Sequence, residues 1–328
     1  MASAGGEETT TKKKLRILVV GGTGYIGKHV VAASARLGHP TTALVRDLAP
    51  SVPAKAQLLQ SFRDAGVTLL QGDLYEHASL VRAVGDADVV ISTVGARQIA
   101  DQTKLIAAIK EAGGSVRRFV PSEFGLDVGR SGAVEPAKSI FDKKVTIRHA
   151  VEAEGIPYTP VVANYFAGYA LPTIGQMLPL APPMESVVIL GDGRAKVVFM
   201  EEGDIGTYTV LAAVDPRAEN KALYIRPAAN ALSHEELVAL WEKKSGKTLR
   251  RVYVPEHDLL NKIHEAVMPM SIVLAKAHAA FIKGYAGNDV EVDPASGVEA
   301  TELYPDVQYT TVDDYLNRLL SSSAIITV

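Results

Sequence analysis

Three glycines, Gly21, Gly24 and Gly27, recur every third residue in LRILVVGGTGYIGKHVV, between an apolar run that reads as a strand and a stretch that reads as a helix. Glycines at such a junction permit a tight turn, let backbone N–H groups approach a pyrophosphate, and let the helix pack closely on the strand. The helix N-terminus adds unpaired N–H groups and a positive dipole end. The spacing alone is a weak signal; its place after the first strand predicts a dinucleotide site. The next apolar run, TTALVRD, ends where such a site meets the adenosine ribose, and it offers Arg46 followed by Asp47. A guanidinium there suits the 2′-phosphate of NADP, with Lys55 either a second positive charge or a solvated lysine. Asp47 facing the ribose instead would favour NAD.

A cofactor site needs a partner that moves protons. A short-chain dehydrogenase would carry Tyr-x-x-x-Lys on the helix after its fifth strand, and none of the 12 tyrosines here has a lysine four residues later. Either another residue does the chemistry, or the protein binds a cofactor without reacting. The segment EPAKSIFDKKVTIRHAVEAEG, bounded by Pro136 and Gly155, puts Ala137, Ile140, Phe141, Ile147 and Val151 on one helical face, with Lys144 near its middle. Lys143 falls on the flank, and Lys138 and Asp142 lie opposite. A lysine in an apolar stripe either snorkels to water or is held inside, where burial disfavours its charged form and brings it closer to use as a base. With the tyrosine missing, Lys144 is the leading catalytic candidate. Open parallel sheets bind ligands at the carboxyl ends of their strands, so Thr93, Val94 and Gly95, and likewise Ser122 and Glu123, are candidate walls. The eight histidines show no metal-ligand spacing and cysteine is absent, so no metal site, disulfide or thiol nucleophile is expected. No G-x-S-x-G or P-loop supports a hydrolase or an ATPase.

The elements that must position these residues follow from the apolar runs LRILVV, TTALVR, VTLL, ADVVIS, RRFVPS and YTPVVA, each separated by a helix-length segment. The repeat predicts an α/β fold, a doubly wound parallel sheet of Rossmann type, with a second, smaller C-terminal substrate domain. Expected boundaries are a tail over residues 1–14, a cofactor domain over 15–164 and a substrate domain over 165–328, some of whose segments return to the first sheet. In the latter, Gly-Asp-Gly at 191–193 between VVIL and AKVVF reads as a hairpin turn, and helices are expected near 233–244 and 257–283. The 328 residues are 47% hydrophobic and 22% charged with a net charge of -3, which excludes a disordered chain, and no basic and aromatic surface for nucleic acid stands out. Neither a signal h-region nor a membrane span is read, so the expected location is cytoplasmic.

The segments GGTGYIG, TTALVR, VISTVG, FVPSEFG, EPAKSIFDKK, EAEGIPYTPVVANYFAGY, VILGDGRAKVVF and VEATELYPDVQYTTVDDYL together resemble the plant isoflavone reductase-like proteins, from about Arg16 to Leu316. The likeness is greatest to the phenylcoumaran benzylic ether reductases, which sit with pinoresinol-lariciresinol reductases, isoflavone reductases and eugenol synthases. The resemblance implies an NADPH-dependent reductase with Lys144 as general base and with Arg46 and Lys55 on the 2′-phosphate. Its expected cofactor contacts are Gly21, Thr23, Gly24, Tyr25, Ile26, Gly27, Thr93, Val94, Gly95, Ser122, Glu123, Phe124, Lys144, Asn164 and Phe166. Tyr169 and His278 are expected in the substrate pocket, along with positions that differ from the family pattern at Leu126, Gly129, residues 161–163 and the alanines around His278. The implied reaction opens a benzylic ether on a phenolic dimer through a quinone methide. Alternatives within the family reduce an isoflavone, a lignan or an allylic ester. A different class of reading is an NmrA-like regulator that senses NADP without turnover, against which Lys144 and the tyrosine-containing stretch 158–183 speak. The expected partner is a small phenol, bound by a monomer or a homodimer.

Overall fold

A computed structural model describes residues 14–177, 181–289 and 291–324; of the tail expected over 1–14, only Lys14 lies among them. The first apolar runs form β1 (Ile17–Val20), β2 (Thr41–Val45), β3 (Thr68–Gln71), β4 (Val89–Ser92) and β5 (Arg118–Val120). They pair in parallel in the order β3-β2-β1-β4-β5. Along β1, Ile17 and Val19 enter one hydrophobic core while Leu18 and Val20 enter another. Successive side chains point to opposite faces, so a sheet covered on both sides needs an unbroken apolar run. The crossovers are α1 (Gly27–Arg36), α2 (Pro53–Asp64), α3 (His77–Gly85), α4 (Thr103–Glu111) and α5 (Ala137–Ala153).

Helix α5 ends at a Schellman turn: Ile156 N–H donates to Val151 O and Gly155 N–H to Glu152 O, with Gly155 at φ +62. Its buried face is divided. Ala137, Ile140 and Phe141 pack with the C-terminal half of the chain, Ile147 and Val151 pack under the sheet, and Lys144 lies between the two groups.

Past α5 come β6 (Val161–Val162), β7 (Tyr165–Phe166), α6 (Ala167–Ala170), β8 (Ser186–Leu190), β9 (Lys196–Met200) and α7 (Glu202–Val214). They are followed by β10 (Ala222–Tyr224), β11 (Ala231–Ser233), α8 (His234–Ser245), β12 (Arg250–Val254), α9 (Glu256–Glu265) and α10 (Met270–Ala277). The last elements are β13 (Gly297–Glu299), α11 (Ala300–Leu303) and α12 (Val312–Ala324). The sheet extends beyond β5: Phe119 N–H donates to Pro157 O (2.8 Å) and Thr159 N–H to Phe119 O (3.0 Å), after which β6 pairs in parallel with β10, and β10 with β13. On the outer layer α7 crosses α1 so closely that a Cβ on Gly206 would stand 2.6 Å from the backbone oxygen of His29.

Two expectations are corrected. The Gly-Asp-Gly turn does not form a hairpin, because β8 pairs in parallel with β12 whereas β9 pairs with β7 and β11. Gly191 N–H donates to Val254 O, so β8 extends its ladder with β12 up to the turn; Gly191 and Gly193, at φ +65 and +71, then carry the chain into a different sheet. The helical stretch expected over 257–283 is broken into α9, α10 and a π-helical turn at His278–Ile282. Pro269 lacks an N–H and cannot continue α9; it stands as the N-cap of α10 instead.

Candidate active site

The glycine turn works by excluding side chains. Gly21 has φ +83, and a Cβ on it would approach the backbone oxygen of Thr93 to 2.8 Å; a Cβ on Gly27 would collide with Gly21 O and with Thr93 Oγ1. Thr93 is fixed in turn by Val20 O, which accepts from its N–H (2.8 Å) and its hydroxyl (3.0 Å). This holds the ends of β1 and β4 against the first turn of α1, where the N–H groups of Lys28, His29 and Val30 already donate to Gly24 O and Ile26 O. The cleft above encloses about 280 Å³. Gly21, Thr23, Gly24, Arg46, Lys55, Thr93, Val94 and Gly95 line it, joined by Gly72, Asp73, Leu74 and Gln98, which sequence reasoning passed over.

Arg46 and Lys55 are both exposed at this cleft, Lys55 on the first turn of α2. Asp47 is not part of its lining; its carboxylate turns back to accept the Ala49 N–H (2.9 Å). Asp73, the one carboxylate on the lining among the described residues, accepts the Tyr75 N–H (2.9 Å). Bare backbone at the turn with two cations at the far wall fits a dinucleotide carrying an extra phosphate.

A second cavity of about 500 Å³ opens where α5 faces α10 and the β7–α6 segment. Phe124, Phe141, Tyr165, Phe166 and Tyr169 give it an aromatic wall, and Lys144 is one of two lysines on it. Lys144 is 8% exposed and donates from Nζ to the Glu123 backbone oxygen at 2.5 Å. The Glu123 carboxylate, which could have neutralised it, is already held by Arg148 through two bonds of 2.6 Å. Desolvation, strengthened by the charges of Lys276 and Arg148 and opposed by Glu123, lowers the Lys144 ammonium to about 8. Lys143 is exposed on the flank, and Lys138 pairs with Asp142 on the opposite face (2.5 Å).

The other expected residues distribute as follows. Ser122 ties the ends of β4 and β5 together, its N–H donating to Gln102 Oε1 and its hydroxyl to Val94 O, both 2.8 Å. Phe124 and Asn164 line the second cavity from left-handed backbone, φ +40 and +54; Asn164 Nδ2 donates to Ile225 O (2.8 Å). Ile26 is buried in the core beneath α1. Tyr25 bridges the two regions: it stacks on Phe166 (5.9 Å) and Tyr169 (4.5 Å), and its hydroxyl donates to Glu202 (2.5 Å).

His278 is a correction. It is 1% exposed, its Nε2 meets Glu256 Oε1 at 2.8 Å, and the cavity wall does not include it, because the π-helical turn directs its ring toward α9. Of the other positions expected in the pocket, Leu126 lines it, whereas Gly129 and residues 161–163 do not; Val161 and Ala163 fill the core. Of the stretch around His278, Lys276 lines the cavity and the alanines do not, whereas Met270, Ile272 and Val273 of α10 were missed. Lys276 had a readable signal in MSIVLAKAH, a lone lysine in an apolar run like the one that singled out Lys144.

The isoflavone reductase homolog IRL of Zea mays is 67% identical over 308 residues, covering 94% of this chain and 99% of the relative. The phenylcoumaran benzylic ether reductase Pyrc5 of Pyrus communis is 59% identical over 307 residues, with 94% and 99% covered. Among solved structures, AtPrR2 with NADP+ and (+)pinoresinol superposes with a TM-score of 0.88 at 42% identity, over 94% of this chain and 99% of the other. Residues 13–316 match the NmrA-like family model, and the chain belongs to that family, among its isoflavone reductase-like members.

Proposed function

We propose that the protein is an NADPH-dependent reductase of phenylpropanoid-derived phenols that opens a benzylic ether of phenylcoumaran type. The observation that carries this reading is a buried lysine, lowered toward neutrality, on the wall of an aromatic cavity beside a phosphate-binding turn. In this reading residues 15–164 hold the cofactor, with Arg46 and Lys55 on its 2′-phosphate, and residues 165–328 supply most of the remaining pocket wall. NADPH, when bound, supplies the hydride.

Lys144, uncharged, takes the proton from the phenol hydroxyl para to the reacting side chain. The phenolate electrons push through the ring and the benzylic C–O bond breaks toward oxygen, which leaves a quinone methide and an oxyanion that is protonated on release. The hydride would be taken up at the benzylic carbon, restoring the aromatic phenolate, which takes its proton back from Lys144. The aromatic wall excludes water that would otherwise add to the benzylic carbon. General-base assistance of this kind is worth roughly 10² to 10⁴ in rate. A non-catalytic NADP sensor would have no use for a lysine held away from water at this cavity. Incubation with NADPH and a panel of phenylcoumarans, lignans, isoflavones and allylic esters tests the proposal. Consumption of NADPH with the phenylcoumarans supports it, and turnover confined to another member of the panel reassigns the substrate.

A further inference from the structure

The catalytic reading leaves one charged group on the cavity wall without a task. Met270, Ile272, Val273 and Lys276 share the face of α10 that lines it. Lys276 is half-buried and has no hydrogen-bond or ion-pair partner among the described residues. No aspartate or glutamate lines the cavity among them either. Two of the other polar side chains there are engaged at home: Gln176 Oε1 accepts from Val188 N–H (2.8 Å) and its Nε2 donates to Thr173 O (3.2 Å), while Thr173 Oγ1 donates to Gln176 O (2.6 Å). Burial pulls the Lys276 ammonium below the usual lysine range, and its charge also acts on Lys144. A cation partly withdrawn from water beside a second amine, with no counter-ion, is a cost that the free protein carries and that an anionic ligand relieves.

We infer that Lys276 is a specificity-determining residue that pairs with a carboxylate on the substrate, so that among phenols opened by Lys144 the cavity favours acids over the corresponding alcohols. The inference rests on the reductase reading for the phenol. With Lys144 committed to the phenol and no carboxylate on the lining among the described residues, the one remaining ammonium suits a monoanion, whereas a phosphate dianion needs several donors. Charge-assisted hydrogen bonds of about 1.5–3 kcal/mol correspond to roughly a 10- to 100-fold preference.

The test uses two phenylcoumarans identical except that the propanoid side chain ends in a carboxylate or in CH₂OH, with wild type, Lys276→Met and Lys276→Arg. Wild type is expected to favour the acid in kcat/KM by that factor, chiefly through KM; Lys276→Met brings the ratio near one, and Lys276→Arg keeps a preference. A calorimetric titration of the NADP+-loaded proteins with 4-hydroxy-3-methoxycinnamate and its alcohol gives a readout independent of turnover. If neither phenylcoumaran is reduced but the acid binds more tightly to wild type than to Lys276→Met, the reductase reading fails and the carboxylate site stands. A wild-type preference near one in both assays overturns the inference. So does a Lys276→Met variant that loses acid and alcohol equally, since Lys276 would then serve the phenolate common to both.

Discussion

An ammonium taken out of water titrates lower because its charged form loses hydration, and at Lys144 the value falls from the ordinary 10.5 to about 8. A general base works uncharged, so kcat/KM should rise about tenfold per pH unit below 8 and level off above it. A profile flat from pH 6 to 9 would remove Lys144 from the role. Lys144→Ala should lower single-turnover hydride transfer by roughly 10² to 10⁴ while NADPH still binds, because the phosphate turn lies on other elements. Lys143→Ala is the control and should change the rate little, its side chain being exposed. A substrate methylated on the phenol should not react with wild type, since no proton is left to remove. The same buried amine alters stability. Between pH 8 and 10.5 the unfolded chain holds a proton that folded Lys144 has released, so stability rises with pH across that window. Melting curves of wild type should therefore gain on those of Lys144→Met from pH 7 to 10. At this scale sequence alone went far: one lysine in an apolar stripe pointed to Lys144, and the terminus of the second strand pointed to Arg46. The wrong placement of His278 turned on a π-helical turn that no spacing in HAAFI announces.

Helix α5 makes a seam, since its first half packs into the C-terminal core and its second half under the sheet. A helical stripe is visible in sequence; that two separate cores share it is not, because the partners come from distant parts of the chain and from either side of the sheet. The missed hairpin has a similar cause. Gly-Asp-Gly encodes a turn correctly, but the partner of β8 is chosen by β12, sixty or so residues on, through bonds such as Gly191 N–H to Val254 O. Close packing between elements yields a further prediction. On α7, Gly206→Ala would force a methyl against the backbone of α1 and should destabilise by about 1–3 kcal/mol, read in urea unfolding, since neither helix can retreat from the sheet. The NADPH-to-NADH preference of the surviving folded protein should be unchanged, because Arg46 and Lys55 lie on other elements. A Gly206→Ala variant as stable as wild type would mean that the two helices slide apart easily.

For the whole molecule, the parallel sheet with helices on both faces was legible, because buried strands must be apolar throughout and their spacing forces crossovers. Cofactor choice is a property of this whole assembly, since Arg46 and Lys55 reach one cleft only when β2 and α2 stand beside the turn after β1. Arg46→Ala should weaken NADPH binding by roughly 10- to 100-fold and leave NADH nearly unaffected, measured by fluorescence titration. Equal affinities in wild type would refute the 2′-phosphate assignment. Among the described residues no helix is long and apolar enough to cross a membrane. The extension of the sheet from β5 through β6 to β10 and β13 also fixes a timetable for synthesis. A ribosome delivers the glycine turn early and residues 297–299 late, so a growing chain carries the β6 edge uncovered until β10 (Ala222–Tyr224) emerges, and then the β10 edge until β13 (Gly297–Glu299) does. An open edge recruits strands from other chains. Nascent chains stalled before β10 emerges should therefore be digested readily and bind holdase chaperones, and those stalled beyond β13 should resist protease.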